Sequence, residues 1–164
     1  MVPVRAGAIW LEESFASLVA PVQGAASSAP SIRVHHILPS ETRAAPEPAG
    51  VLEEIERRLV STVLLVHQAR VDVRFLKRAY AREGKRWPRP PVVDTVRLIR
   101  KWASRERLLV GQDREPSLNL AEARAELGLP PYPRHDALTD AIATAELFLV
   151  LRARLGARDL SDLL

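Results

Sequence analysis

The chain has no cysteine, which excludes disulfides, thiolate metal sites and a cysteine nucleophile. No apolar run approaches the ~20 residues that a membrane-spanning helix requires. Met1-Val2-Pro3-Val4-Arg5 lacks the apolar core of a signal peptide and runs directly into patterned sequence. A cytoplasmic protein with no membrane partner is expected. Acids are scarce at the start. No aspartate precedes Asp72, and Glu12 and Glu13 are the only acids before His35. Chemistry that needs an aspartate on an early strand is therefore excluded from this stretch.

What is present is ordinary for a globular protein. The 164 residues suit one domain, spanning 1–164, with enough length for a core. The apolar fraction is 47% and the charged fraction 27%. A net charge of +4 suits a polyanionic partner, although many soluble proteins share it.

Residues 6–11 and 15–22 are short apolar segments split by Glu12-Glu13-Ser14, and read as a hairpin. Residues 23–31 read as a loop, and 38–50, with Pro39, Pro46 and Pro48, as another irregular connection. Val51, Leu52, Ile55 and Leu59 fall at helical spacing. Val63-Leu64-Leu65-Val66 has the continuous apolar character of a strand buried on both faces. A second amphipathic helix is expected over 72–83, with Gly84 as its C′ residue. After a Pro-rich loop around Trp87 come a brief strand at Val92-Val93 and a helix over 95–102. Residues 104–116 read as a polar, mobile connection. Asn119 and Glu122 form a capping box for a helix ending at Gly128. The last helix runs from Asp136 to about Leu155. Hairpin strands first, then alternating strands and helices, imply an α/β fold with a mixed sheet flanked by helices.

Several polar residues stand where chemistry could occur, and each has a structural alternative. Asp72 follows a buried strand, at the carboxyl edge where ligands bind in open α/β sheets. It could equally be a helix N-cap. Asp140 lies in the first turns of the last helix, on or near its core side, where a carboxylate needs a cation. It could instead favour the positive end of the helix dipole, with Asp136 as the cap and His135 a loop residue. His67 ends a strand, and His35 lies in a turn. Arg70, Arg74, Lys77 and Arg78 make a basic helix face, which is usually solvated surface.

Taken together and in order, these segments resemble the DEDDh 3′–5′ exonucleases, the family of the epsilon proofreading subunit of DNA polymerase III. His67-Gln68-Ala69-Arg70-Val71-Asp72, followed by Phe75-Leu76, resembles the family's second motif, with Gln68 in place of Asn and Val71 in place of Phe. His135-Asp136-Ala137-Leu138-Thr139-Asp140 resembles the third motif. Val93-Asp94-Thr95, Leu118 to Leu129, Val34-His35-His36-Ile37 and Phe15 to Pro21 also look like family segments. The resemblance covers nearly the whole chain.

It implies a ribonuclease-H-like fold and hydrolysis of nucleic acid, DNA favoured over RNA, with a DNA polymerase as a partner. It implies His135 as general base, Asp140 as a metal ligand and Asp72 as a carboxylate near a second metal. His35 and His67 would lie near the bound nucleotide. Two Mg²⁺ or Mn²⁺ ions would stabilise the attacking water and the leaving oxygen. The family's first motif, Asp-x-Glu, is absent here, and its strand, central in the family's sheet, would lie before Met1. Ala6-Gly7-Ala8-Ile9 resembles the strand after it. Two carboxylates are too few for two hard cations, which prefer several oxygen ligands. The chain itself is thus expected to be inactive unless upstream sequence supplies the motif. The alternatives are an inactive module that binds nucleic acid or a partner, and a degenerate fragment.

Overall fold

The computed structural model describes residues 1–21, 37–111, 115–133 and 136–164. Strands β1 (Val4–Arg5) and β2 (Ala8–Ile9) come first, followed by a 3-10 turn at Leu11–Glu13 and helices α1 (Pro39–Arg43) and α2 (Pro48–Leu59). Strand β3 (Leu64–Val66), helix α3 (Ala69–Arg82), strand β4 (Val92–Asp94) and helix α4 (Thr95–Val110) then alternate. Helices α5 (Leu120–Glu126) and α6 (Ala137–Leu155) close the fold.

The hairpin differs from the expected one. Its turn is Ala6-Gly7, both at positive φ (50° and 79°), which pairs Val4 with Ile9 and Arg5 with Ala8. Two residues at positive φ give the primed turn whose twist matches antiparallel strands, and glycine takes one of those positions without strain. Expected strands over 6–11 and 15–22, the last residue of which lies outside the described residues, give way to a tighter ribbon within 4–9. Phe15 still meets the ribbon: its N–H donates to the Met1 carbonyl at 2.8 Å, and its carbonyl accepts from the Met1 amino group at 2.5 Å. Residues 16–21 form no strand.

Two helices exceed the expectation. Residues 39–43 are helical where three prolines suggested irregular chain. Pro39 and Pro48 each stand at a first helical position, where a missing N–H costs nothing. Residues 104–110 continue α4 to a left-handed Gly111 cap instead of forming a polar connection. Arg105, Glu106, Arg107 and Leu108 are good helix formers, and Arg105 ties the extension to α6 through the Leu155 carbonyl at 2.8 Å.

Strand β3 pairs in parallel with β4, Leu64 opposite Val92 and Val66 opposite Asp94. Thr95, Leu98 and Ile99 of α4 and Leu147 and Leu151 of α6 are each at most 1% exposed, and the two helices pack along each other. Fully burying each such leucine or isoleucine contributes about 1.5–3 kcal/mol. A second cluster, Leu59, Leu64 and Val66, holds α2 and α3 to β3.

Among the described residues the strands form two separate two-stranded sheets, not one mixed sheet. Both rest on α6. Between them lies a cleft of about 1480 Å³ with Met1 to Gly7 on one wall, Val63 to Gln68 on the other, and Asp140, Thr144, Phe148 and Arg152 of α6 on its floor. Leu64 bonds toward β4, its N–H meeting the Pro91 carbonyl at 2.9 Å. By strand alternation the N–H and C=O of Leu65 point the other way, toward the cleft.

Candidate active site

The junction between β3 and α3 is held by a carboxylate from the neighbouring strand. Asp94 caps α4 by accepting the Val96 N–H at 3.0 Å. The same side chain accepts the N–H of Gln68 at 3.1 Å and of Ala69 at 3.0 Å. Gln68 is left-handed (φ 67°), a conformation that a non-glycine residue keeps only when its surroundings enforce it. These bonds start α3 at Ala69 instead of at residue 72. Asp72 is therefore a first-turn residue and not the N-cap. A strand-end aspartate before a helix signals a cap; its reach to Gln68 and Ala69 is invisible in sequence.

Asp72 lines the cleft at the carboxyl end of β3. Its carboxyl is raised above the ordinary carboxylate range, first by desolvation and then by the charge of Asp94. Asp140, half-buried in the first turn of α6, lines the same cleft. Its backbone N–H bonds Asp136, and its carbonyl accepts the Thr144 hydroxyl at 2.8 Å. Asp136 is the cap of α6, its Oδ1 taking the Thr139 N–H at 2.8 Å and the Thr139 hydroxyl at 2.7 Å. These bonds hold the Asp136 carboxyl below the usual range. The two aspartates that sequence singled out thus meet one cleft from two helices far apart in the chain.

His67 also lines that cleft, but both ring nitrogens are engaged by protein groups. Nε2 lies 2.9 Å from the Leu118 carbonyl and Nδ1 lies 2.7 Å from Thr95 Oγ1. A carbonyl only accepts, so Nε2 carries a proton, and in the neutral ring Nδ1 accepts from the Thr95 hydroxyl. Burial pushes the imidazole below its ordinary value, opposed by the Leu118 carbonyl and by Asp94. His35 and His135 lie outside the described residues.

One buried cation had no signal in the sequence. Arg124 of α5 is 2% exposed. It donates to the Ala143 carbonyl at 2.8 Å and to the Pro130 carbonyl at 3.1 Å, and pairs with Glu146 at 2.7 Å. Its guanidinium also lies 5.0 Å from the centre of the Tyr132 ring. It fastens residues 130–132, which lead toward residue 135, onto α6.

The donors in the cleft fall short of what a divalent ion needs. No group of three or more His, Cys, Asp or Glu side chains that could hold a metal occurs among the described residues. Asp72 and Asp140 do not make a metal centre by themselves.

The helix-flanked sheets and a carboxylate-lined cleft at a strand end define an open α/β fold. It matches the crystal structure of E. coli Exonuclease I in complex with a 5cy-dA13 oligonucleotide, with a TM-score of 0.65 and 19% identity over 85% of this chain and 32% of that one. Residues 2–148 match the exonuclease family that includes RNase T, and the chain belongs to this DEDD-type family. It is 35% identical over 149 residues to a DNA polymerase III subunit epsilon-like protein of Rhodobacter capsulatus, covering 91% of this chain and 20% of that protein. It is also 30% identical over 118 residues to a DNA polymerase III PolC-type of Oceanobacillus iheyensis, covering 72% of this chain and 8% of that protein. The chain spans about a fifth or less of the length of these relatives. No helix among the described residues is long and apolar enough to cross a membrane.

Proposed function

We propose that this chain is the body of a 3′–5′ exonuclease domain that removes nucleotides from DNA ends once further carboxylates join Asp72 and Asp140. The observation that carries this reading is the convergence of Asp72 and Asp140 on one cleft at the end of β3, in a chain of exonuclease lineage. His135 takes the proton of the attacking water. Asp140 and Asp72 supply negative charge at the scissile phosphate, where the family's Mg²⁺ or Mn²⁺ would bind. His67, with both nitrogens committed, braces the cleft wall instead of donating to substrate. The resemblance to the family also implies His35 as a residue near the bound nucleotide. The epsilon-like relative supports a DNA polymerase as a partner of the whole protein. A cytoplasmic location fits a factor that acts on DNA ends.

A second reading, a module that binds nucleic acid or a partner without hydrolysis, is favoured by the shortage of metal donors among the described residues. The two readings separate in one assay. The 164-residue chain, and the same chain extended at its N-terminus by a strand bearing Asp-x-Glu, are incubated with 5′-labelled single-stranded DNA and RNA in Mg²⁺ and in Mn²⁺. The first reading expects little hydrolysis by the chain alone and 3′-end degradation by the extended form, with DNA the better substrate. In the extended form His135→Ala should lower turnover by about 10²–10⁴, and Asp140→Asn at least as much. An extended form that binds DNA yet never shortens it would leave only the binding module.

A further inference from the structure

We propose that the exposed face of α3 is a track for single-stranded nucleic acid, where an unpaired base stacks on Phe75 and Arg74 and Arg78 hold the flanking phosphates. This rests on the reading of the adjacent cleft as a nuclease site. Helix α3 turns Val73, Leu76 and Tyr80 inward. On its outer side Arg70, Arg74 and Arg78 recur every four residues and so form a row. Val71 and Phe75, also four apart, lie beside that row, and they are 62% and 72% exposed.

The opposite face of α3 supplies its core contacts, so the Phe75 ring, which lines the cleft, stands free to meet a ligand there. Among the described residues no acid pairs with Arg70, Arg74 or Arg78, and none of them enters a hydrogen bond through its side chain, so the row is open to an anion.

The chemistry selects the occupant. Unpaired cations call for a polyanion. An exposed ring among them calls for one with flat apolar faces, which unpaired bases offer and stacked duplex bases do not. Two apolar side chains are too few for a membrane-binding face. The location is also apt. Phe75 follows Asp72 by three residues on the same helix, and both line the cleft that holds Asp140. A strand lying along the arginine row would pass over Phe75 and enter the cleft.

The test measures fluorescence anisotropy of 5′-fluorescein-labelled (dT)12 in EDTA, with far-UV circular dichroism to show that each variant keeps its helices. Phe75→Ala should weaken binding about 5–150-fold, the equivalent of 1–3 kcal/mol for one stacked base, while Phe75→Trp should restore it. Arg74→Gln with Arg78→Gln should lower the slope of log affinity against log salt by about 0.7 for each phosphate no longer neutralised. A 12-base-pair duplex should bind more weakly and ignore Phe75→Ala. The proposal is overturned if wild type does not bind (dT)12, or if Phe75→Ala binds as wild type does. It is also overturned if the duplex shares the dependence on Phe75, or if polyglutamate displaces (dT)12 as well as an equal charge of nucleic acid does, the mark of an acidic protein partner. If the Asp-x-Glu-extended chain degrades DNA and Phe75→Ala leaves KM unchanged, this inference fails alone. If Phe75 governs binding but no form hydrolyses DNA, the nuclease reading fails and the track stands.

Discussion

Thr95 Oγ1 lies 2.7 Å from His67 Nδ1, joining the end of β3 to the start of α4 beneath the candidate site. The same hydroxyl lies 3.3 Å from the Val66 carbonyl. One hydroxyl proton cannot serve both, and the shorter contact to a neutral imidazole takes it. His67 thereby satisfies Thr95 on one side and the Leu118 carbonyl on the other, and links β3, α4 and the segment before α5 in one network.

His67→Ala should therefore destabilise the chain by about 1–3 kcal/mol, since it leaves the Leu118 carbonyl without its partner and turns the Thr95 hydroxyl to the longer contact with Val66. The network should also be sensitive to pH. A histidine whose folded value lies below its unfolded value of 6.5 contributes stability that is complete above that value and is lost as pH falls through the lowered one. Urea unfolding of wild type should show this loss as pH falls below the unfolded value of 6.5, and His67→Ala should flatten it. A variant with the same pH slope as wild type would remove His67 from this role.

Asp72 carries the opposite sign. Its carboxyl is raised by desolvation and by Asp94, so the ionised form is disfavoured in the folded chain. Above the raised value this charge lowers stability, and protonation on acidification removes the penalty. Asp72→Asn should stabilise the metal-free chain at pH 7 by a few tenths of a kcal/mol, because the side chain, although partly desolvated at the cleft, keeps enough contact with water to screen the penalty, and should give no gain near pH 3. Urea midpoints in EDTA at both pH values check this. Destabilisation at pH 7 would mean that the carboxylate has a cationic partner in solution.

Arg124→Ala should cost about 3–5 kcal/mol, the usual result of breaking a buried ion pair by removing one partner. Glu146 is 38% exposed on its side chain and can rehydrate, so most of the loss comes from the Ala143 and Pro130 carbonyls and from the volume of the side chain. Arg124→Met, which fills that volume, should recover part of it. Equal losses in the two variants would place the whole effect in the hydrogen bonds.

Much of this architecture is legible in the residues. The four-residue apolar run at Val63 to Val66, the 3.6-residue periods before and after it, and the Asn119 cap each specify a local structure that the fold keeps. Asn119 accepts the N–H groups of Ala121 and Glu122 at 3.0 and 3.3 Å, although Glu122 bonds Ser117 instead of returning to the cap. Long-range pairings were not legible. Asp94 caps α4 locally, yet two of its three bonds go to residues 25 and 26 positions away. Nothing around Arg124 in the sequence signals burial, and only the approach of α6 and Pro130 buries it. The Ala6-Gly7 turn shifted the hairpin because a tight turn outweighs two short apolar runs. Asp72 and Asp140 were legible as candidates because strand ends and helix starts are local features, whereas their shared cleft depends on how α6 crosses the two sheets.

The cleft between those sheets carries the last prediction. Its wall includes Leu65, whose N–H and C=O face the space instead of a neighbouring strand, and apolar atoms of Val63 and Phe148 line it. Buried backbone groups left unpaired are costly, and exposed ones invite pairing with other chains. The chain on its own should unfold broadly, with a midpoint at or below the 45–65 °C typical of mesophilic domains, or self-associate as concentration rises. Fusing a strand of about ten residues before Met1, apolar at alternate positions, should raise the midpoint and sharpen the transition. Hydrogen exchange locates the cause. The Leu65 amide should exchange fast in the original chain and slowly in the fusion, while the Leu64 amide, bonded to Pro91, stays protected in both. A sharp monomeric transition above about 65 °C in the original chain, with Leu65 already protected, would mean that the two sheets close on each other in solution and that the cleft is not a strand's width of missing structure.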